Sequence, residues 1–282
     1  MLVRAKGASR LSTEMAKRLR IGAVSYLNTR PLVYGLQDRS DAEVIFDLPS
    51  RLADRLSRGE LDVALIPSVE YFLRPDYRIV SDACIGCRGP VLSVKLFCRR
   101  PVSEIKTLAL DEGSRTSATL TRILLAERHD VHPQLRSLSI GEGLSDADAD
   151  AVLLIGDRAI GADEAGFAEV WDLGDVWCRW SELPFVFAMW VAREDVDASR
   201  IDTALAAARD AGVTHMEEIA EKASRDLDLA AAACLSYLRD NLYFFLGPRE
   251  RRGLELFYEK AVRLGAVPRG RQLRFHDCET TR

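Results

Sequence analysis

Short apolar runs alternate with polar turns and helical stripes along the chain as far as Val191, and beyond it the spacing of apolar residues becomes helical. Ile21, Ala23 and Val24 make the first buried-strand pattern. It runs straight into the polar turn Ser25-Tyr26-Leu27-Asn28-Thr29 and a helix predicted to begin at Pro31, a residue suited to a first helical position. Backbone N–H groups at such a helix start would face an anion. Val44–Phe46 predicts a second strand, and Ser50 the cap of a helix with Leu52, Ala53 and Leu56 on one face and Gly59 as its stop. Asp62–Ile66 is nearly continuous in apolar residues, the mark of a strand covered on both faces, and Pro67-Ser68 turns into another short helix.

Ile79-Val80 and Val91–Phe97 predict further strands, and Arg99-Arg100-Pro101 leads to a segment with its own strand, Thr107–Leu110. Asp111-Glu-Gly-Ser-Arg-Thr-Ser117 is a turn that opens a helix reaching Arg128, with Leu120, Leu124 and Leu125 as its buried stripe. Strands at Leu135–Ser139 and Ala151–Ile155 follow. Phe185–Val191 is the most apolar strand pattern of the chain and reads as a return into the first unit. Ile201–Ala211, Asp226–Arg239 and Pro248–Leu264 carry helical spacing, with Leu242–Leu246 a short strand between the last two. These patterns predict an α/β protein of two lobes with a mainly parallel sheet in each and a ligand cleft between them. The expected division is a loose N-terminal tail 1–19, a first lobe 20–98, a second lobe 99–184, a helical return to the first lobe 185–268, and a loose C-terminal tail 269–282.

With 282 residues, 48% of them hydrophobic, the chain has material for a large core. A net charge of -4 leaves no basic footprint for nucleic acid. No apolar run reaches the roughly 18 residues of a membrane span. Residues 1–19 hold Arg4, Lys6, Arg10, Lys17 and Arg18 without an apolar export core, so no secretory signal is expected there, and Met15 is a second candidate for the start of translation. The six cysteines (Cys84, Cys87, Cys98, Cys178, Cys234, Cys278) read as reduced thiols, which suits the cytoplasm. Cys84-Ile-Gly-Cys87 has no second pair or spaced histidines, so no metal is expected. The four tryptophans flank or occupy apolar segments and read as core, and no Gly-rich phosphate loop points to a nucleotide cofactor.

Six stretches are more specific than their pattern: Ser25-Tyr-Leu-Asn-Thr-Arg-Pro-Leu32, Gly59-Glu-Leu-Asp-Val-Ala-Leu-Ile-Pro67, Gly89-Pro-Val-Leu-Ser-Val94, Asp111-Glu-Gly-Ser-Arg-Thr-Ser117, Ile155-Gly-Asp157 and Leu183-Pro-Phe-Val-Phe-Ala188. In this order they resemble the chorismate dehydratase family of the futalosine route to menaquinone, from Arg20 to Val267. The resemblance implies a type II periplasmic-binding-protein-like fold, in which the chain leaves one lobe, builds the second and comes back. It also implies a cofactor-free lyase with chorismate as its small-molecule substrate, and no nucleic-acid or membrane partner. Tyr26–Thr29 and Ser114–Ser117 would then face one ligand across a closing cleft. The competing class is a non-catalytic small-anion binding or sensing protein on the same fold. A second enzyme of the same route, the dihydroxynaphthoate synthase, is also similar in fold but is not expected to carry the Ser-Tyr-Leu-Asn turn.

Under that resemblance Asn28 and Ser93 are the candidate catalytic residues. Asn28 has no useful basicity and would position substrate or bond the departing hydroxyl; its other reading is a side chain stabilising its own turn. Ser93 interrupts Val91-Leu92-Ser93-Val94, and its buried hydroxyl needs a partner, either substrate or a nearby carbonyl. Tyr26, Thr29, Ser114, Thr116 and Ser117 are candidate substrate binders, with Arg115 a bidentate clamp and one of the hydroxyls expected to cap the helix. Asp157 ends a strand where ligands are met and would need to bond a hydroxyl. His129, His132, His215 and His276 fall in none of these turns, so the substrate's own enolpyruvyl carboxylate is the expected proton acceptor.

Overall fold

A computed structural model describes residues 18–197 and 201–275. Most of the expected N-terminal tail and the end of the C-terminal one, with His276 and Cys278, lie outside the described residues. The first sheet contains β1 (Leu19–Val24), β2 (Ala42–Asp47), β3 (Val63–Pro67) and β4 (Tyr77–Cys87), with α1 (Pro49–Ser57) and α2 (Ser68–Leu73) between them. The second sheet contains β5 (Val94–Cys98), β6 (Thr107–Asp111), β7 (Gln134–Leu138), β8 (Ala151–Ile155) and β9 (Glu169–Asp172). Its helices are α3 (Thr116–His129), α4 (Asp157–Ile160) and α5 (Leu173–Ser181). The chain then returns through β10 (Phe185–Arg193), α6 (Asp202–Thr214), α7 (Met216–Leu227), α8 (Ala231–Ser236), β11 (Tyr243–Phe245) and α9 (Pro248–Arg263).

Strand order is β11-β4-β10-β3-β1-β2 in the first sheet and β7-β6-β8-β5-β9 in the second. Both sheets are mixed rather than purely parallel: four of the six strands in the first and four of the five in the second run one way, as expected of mainly parallel sheets, and the others run against them. β1 runs parallel to β2 and β3, but β10 is antiparallel to β3, β4 runs against it, and β11 against β4. β6 runs parallel to β7 and β8, while β5 is antiparallel to β8 and β9. The antiparallel strand in the middle of each sheet is the one by which the chain arrives from the other lobe. The two passages are neighbours, because Cys87 at the end of β4 pairs with Phe185 at the start of β10.

β5 pairs only within the second sheet, so the chain leaves the first sheet between Cys87 and Val94, ahead of the passage expected at Arg99. The predicted strand Val91–Phe97 is shortened because Leu92 takes a left-handed conformation (φ 58°), which no strand accommodates. Three further expectations are corrected. The helix expected from Pro31 is a 3₁₀ segment, Leu27–Val33, with Pro31 inside it. Ser50 does not cap α1, which starts at Pro49 after Leu48; the Leu48 amide is taken by the Asp47 carboxylate. Residues 269–275 are held rather than loose: Ile79 donates to the Arg274 carbonyl at 2.8 Å, and the Tyr71 hydroxyl joins Gln272 and Arg274. β9, α5 and α7 were not expected from the pattern.

Burial follows from these layers. β3 and β8 are buried at every position, as strands covered on both faces must be. In the second sheet Leu96, Leu153 and Ile155 join the main core, while Phe97, Val152 and Leu154 form a smaller cluster on the opposite face. Trp177 packs against Phe185 and Phe257, fastening α5 to β10 and α9 beside the two passages. α6 lies against the Leu27–Val33 segment, and Gly212 makes this approach possible: a Cβ there would stand 2.0 Å from the Pro31 carbonyl oxygen. Gly212→Ala is therefore expected to lower stability by about 1–3 kcal/mol, the usual range for overpacking, in denaturant unfolding; an unchanged midpoint would contradict this packing.

Candidate active site

The parallel strands of both sheets end at one cleft. β1 leads to Tyr26 and Asn28, the start of α1 after β2 delivers Pro49, the end of β3 delivers Pro67, β6 leads to Gly113–Ser117, and β8 delivers Ile155 and leads to Gly156. This is where open α/β sheets meet their ligands. The cleft and its open mouth together span about 500 Å³ of empty space, and its walls are completed by apolar side chains including Ile85, Val91, Val94 and Phe187.

The sequence-predicted residues divide into two groups. Tyr26, Asn28, Ser93, Ser114, Arg115, Thr116 and Ser117 all line the cleft; Thr29 and Asp157 do not. Thr29 is buried beneath the turn and its Oγ1 donates to Asn28 Oδ1 at 3.2 Å, which leaves the amide nitrogen of Asn28 as the donor facing outward. Asp157 receives the Leu27 amide at 3.0 Å. The anion met by the amides of this helix start is thus a carboxylate of the other lobe. Tyr26 crosses the same gap. Gly156 (φ 69°) leaves room for it, since a Cβ there would stand 2.7 Å from the Tyr26 ring.

Arg115 is not a free clamp. Its guanidinium holds both oxygens of Asp54 at 2.8 Å and Glu70 at 3.0 Å, so it ties α3 to α1 and α2 rather than waiting for substrate. Thr116 is likewise engaged across the gap, accepting from the Val69 amide at 3.2 Å beside Ser68. None of the hydroxyls caps α3, whose N-cap residue is Arg115 with no side-chain bond, contrary to expectation. Ser114 and Ser117 therefore keep their hydroxyls without a side-chain partner among the described residues. With the first-turn amides of α3, which have no carbonyl four residues back, they form a patch of neutral donors.

Ser93 sits on a strained turn rather than within a strand. The Asp172 carboxylate takes the Val91 and Leu92 amides at 3.0 and 2.7 Å and also caps α5 through Asp175. The Ser93 carbonyl accepts from Gly156 at 2.9 Å, so the serine is fixed from both sides. Sequence reasoning missed Asp172, although an aspartate three residues before Asp175 is a helix-start signature. It also missed Tyr237, whose buried hydroxyl faces Asn28 and Ser93 and for which no local pattern exists.

Charge around the cleft is nearly all paired. Asp111, fully buried below Gly113, receives the Gly113 amide at 3.0 Å and pairs with Arg158; burial still pushes its carboxyl upward. Burial also raises the Tyr26 phenol, helped by Asp111. Among the described residues no histidine, lysine, aspartate or glutamate lines the cleft. Elsewhere, burial raises Cys84, and the neighbouring Cys178 thiol together with burial raises Cys87, the reverse of what metal-binding thiolates need. No described helix is long and apolar enough to cross a membrane.

Burial pushes the Asp157 carboxyl above the ordinary aspartate range, and the Leu27 amide and Arg30 offset only part of this. A raised value means the charged form is disfavoured by folding, so the group's contribution is greatest below the ordinary aspartate pKa and is lost as pH rises through the raised one. Asp157→Asn keeps an acceptor for Leu27 and removes the charge. It is expected to match or exceed the parent in thermal melts at about pH 7, with the gap closing below about pH 4. Asp157→Ala leaves the amide unpaired and is expected to cost about 1–3 kcal/mol. A destabilised Asn variant at neutral pH would contradict this account.

Comparison with known proteins agrees with this architecture. Residues 19–263 match the family model described as menaquinone biosynthesis. The chorismate dehydratase of Thermus thermophilus is 32% identical over 257 residues, covering 85% of this chain and 93% of that protein. Among solved structures, a protein from Archaeoglobus fulgidus superposes with a TM-score of 0.73 at 18% identity, covering 89% of this chain and 98% of that one. The alkanesulfonate-binding protein of Xanthomonas axonopodis gives 0.60 at 12% identity, covering 89% and 94%. These two share the fold, a two-lobed periplasmic-binding-protein-like α/β architecture. The match over nearly the whole chain, with the motif turns gathered at one interlobe cleft, shows that this chain belongs to the menaquinone-biosynthesis family.

Proposed function

We propose that this protein is a chorismate dehydratase, a hydro-lyase that removes water from chorismate to give 3-[(1-carboxyvinyl)oxy]benzoate on the futalosine route to menaquinone, and that it works in the cytoplasm without a cofactor. One observation carries the reading: donors from both sheets converge on a largely apolar cleft whose lining offers no acid, histidine or lysine among the described residues. Such a site suits a ring with two carboxylates that supplies its own base. Neither nucleic acid nor membrane has a part in it.

The reaction breaks the C3–H and C4–O bonds and forms an aromatic ring; proton and hydroxide leave together as water, and nothing is oxidised. Removal of the C3 proton places charge in conjugation with the ring carboxylate. The Ser114 and Ser117 hydroxyls and the first-turn amides of α3 would hold that carboxylate and stabilise the charge as it develops. The enolpyruvyl carboxylate, aligned by the closed walls, accepts the proton. Asn28 offers its amide N–H to the departing hydroxyl, since its carbonyl oxygen is occupied by Thr29. Ser93 supplies the second hydrogen bond at the reacting face.

Incubation of purified protein with chorismate, followed by mass spectrometry for the benzoate product, tests the reading; binding without product would assign the fold to solute binding instead. Asn28→Ala and Ser93→Ala are each expected to fold normally and to lower kcat by about 10²–10³, the scale for removing one such donor. A chorismate analogue without the enolpyruvyl carboxylate is expected to bind and remain unchanged; rapid turnover of it would rule out substrate-supplied base catalysis.

A further inference from the structure

Tyr237 begins the five-residue π-turn Tyr237–Asn241 that continues α8. π-turns inside helices are rare and frequent at functional sites. Its ring is part of the core at 1% exposure, yet its hydroxyl is fully buried and has no hydrogen bond of normal geometry among the described residues. Phenylalanine would fill the same space without burying an unpaired polar group. The hydroxyl faces Ser93 and Asn28, the two side chains closest to the proposed chemistry, and both oppose the upward push that burial gives the phenol. The same π-turn is tied to the segment bearing Ser93, because Asn241 donates to the Pro90 carbonyl at 3.0 Å.

The donors and acceptors can be counted. Thr29 occupies Asn28 Oδ1, leaving two N–H bonds on Nδ2. The Tyr237 oxygen can accept one of them while its own hydrogen goes to Ser93 Oγ. That leaves one amide N–H of Asn28 and the hydroxyl hydrogen of Ser93, both directed at the cleft.

We propose that Tyr237 is the positioning residue of this site: when substrate draws Asn28 and Ser93 inward, its hydroxyl accepts from Asn28 and donates to Ser93, fixing which hydrogen each presents to the ligand. The inference rests on the dehydratase reading above. It makes Tyr237 a partner of two donors, not a group that touches substrate.

Tyr237→Phe separates this role from a structural one. The variant deletes an unpaired hydroxyl and keeps the ring, so its unfolding midpoint is expected to equal or exceed that of the parent. Its kcat on chorismate is expected to fall by about tenfold or more, as for loss of a bond in a cooperative network, with KM changed by less than about threefold. Placed on an Asn28→Ala/Ser93→Ala background, the same change is expected to cost nothing further, because the groups it acts through are gone. An unchanged kcat in Tyr237→Phe, a kcat loss that merely follows a lowered midpoint, or an undiminished effect on the double-alanine background would each overturn the inference while leaving the dehydratase reading intact. Absence of chorismate turnover by the parent protein would overturn both.

Discussion

The bond from the Leu27 amide to the Asp157 carboxylate is the constraint on which the cleft depends. It joins the turn after β1 to the turn after β8, two strands of separate sheets. The Tyr26 ring lies against Gly156 at the same place, in space that any larger residue would fill. A carboxylate buried this way is costly, and the amide offsets only part of that cost. In return Asn28 acquires a fixed position relative to the start of α3, although the two belong to different lobes. Arg115 and Thr116 repeat the arrangement farther along the interface, each spending its polar groups on the opposite lobe.

The consequence for chemistry is a site made from neutral donors. Among the described residues the one cation in the lining, Arg115, is already matched by Asp54 and Glu70. A fixed positive charge would attract substrate and product alike; on the proposed reading, hydroxyls and helix-start amides aimed at a developing charge would favour the transition state over both. The apolar wall of Ile85, Val91 and Phe187 strengthens each of those dipoles by excluding water. The absence of an acid or histidine from the described lining fits a reaction in which the substrate brings its own carboxylate.

Ser93 shows how much structure is devoted to placing one hydroxyl. Leu92 is held left-handed, a conformation of measurable cost for a residue with a Cβ, and it persists because Asp172 takes two consecutive amides of the turn. The passage between the sheets and the presentation of Ser93 are the same six-residue link, 88–93, so the site is built into the interlobe passage rather than appended to it.

Strand ends, the two-lobe architecture and the hydroxyl-rich turns were legible in the chain, because apolar runs such as Ala151–Ile155 are set by local periodicity and because Ser25–Thr29 and Asp111–Ser117 announce turns by their composition. The direction of β5 and β10, the left-handed Leu92 and the unexpected β9, α5 and α7 were not, since strand polarity and backbone strain depend on where the chain comes from in space. For the site, sequence determined the inventory: an amide, several hydroxyls, an arginine and an aspartate. Only the tertiary structure decided their employment, committing Arg115, Thr116 and Asp157 to the opposite lobe and bringing Tyr237 behind Asn28 and Ser93. The physical reason is that a hydrogen-bonding group's capacity is written in its own atoms, while its partner is chosen by packing between segments that lie from 47 residues apart for Thr116 to 130 for Asp157.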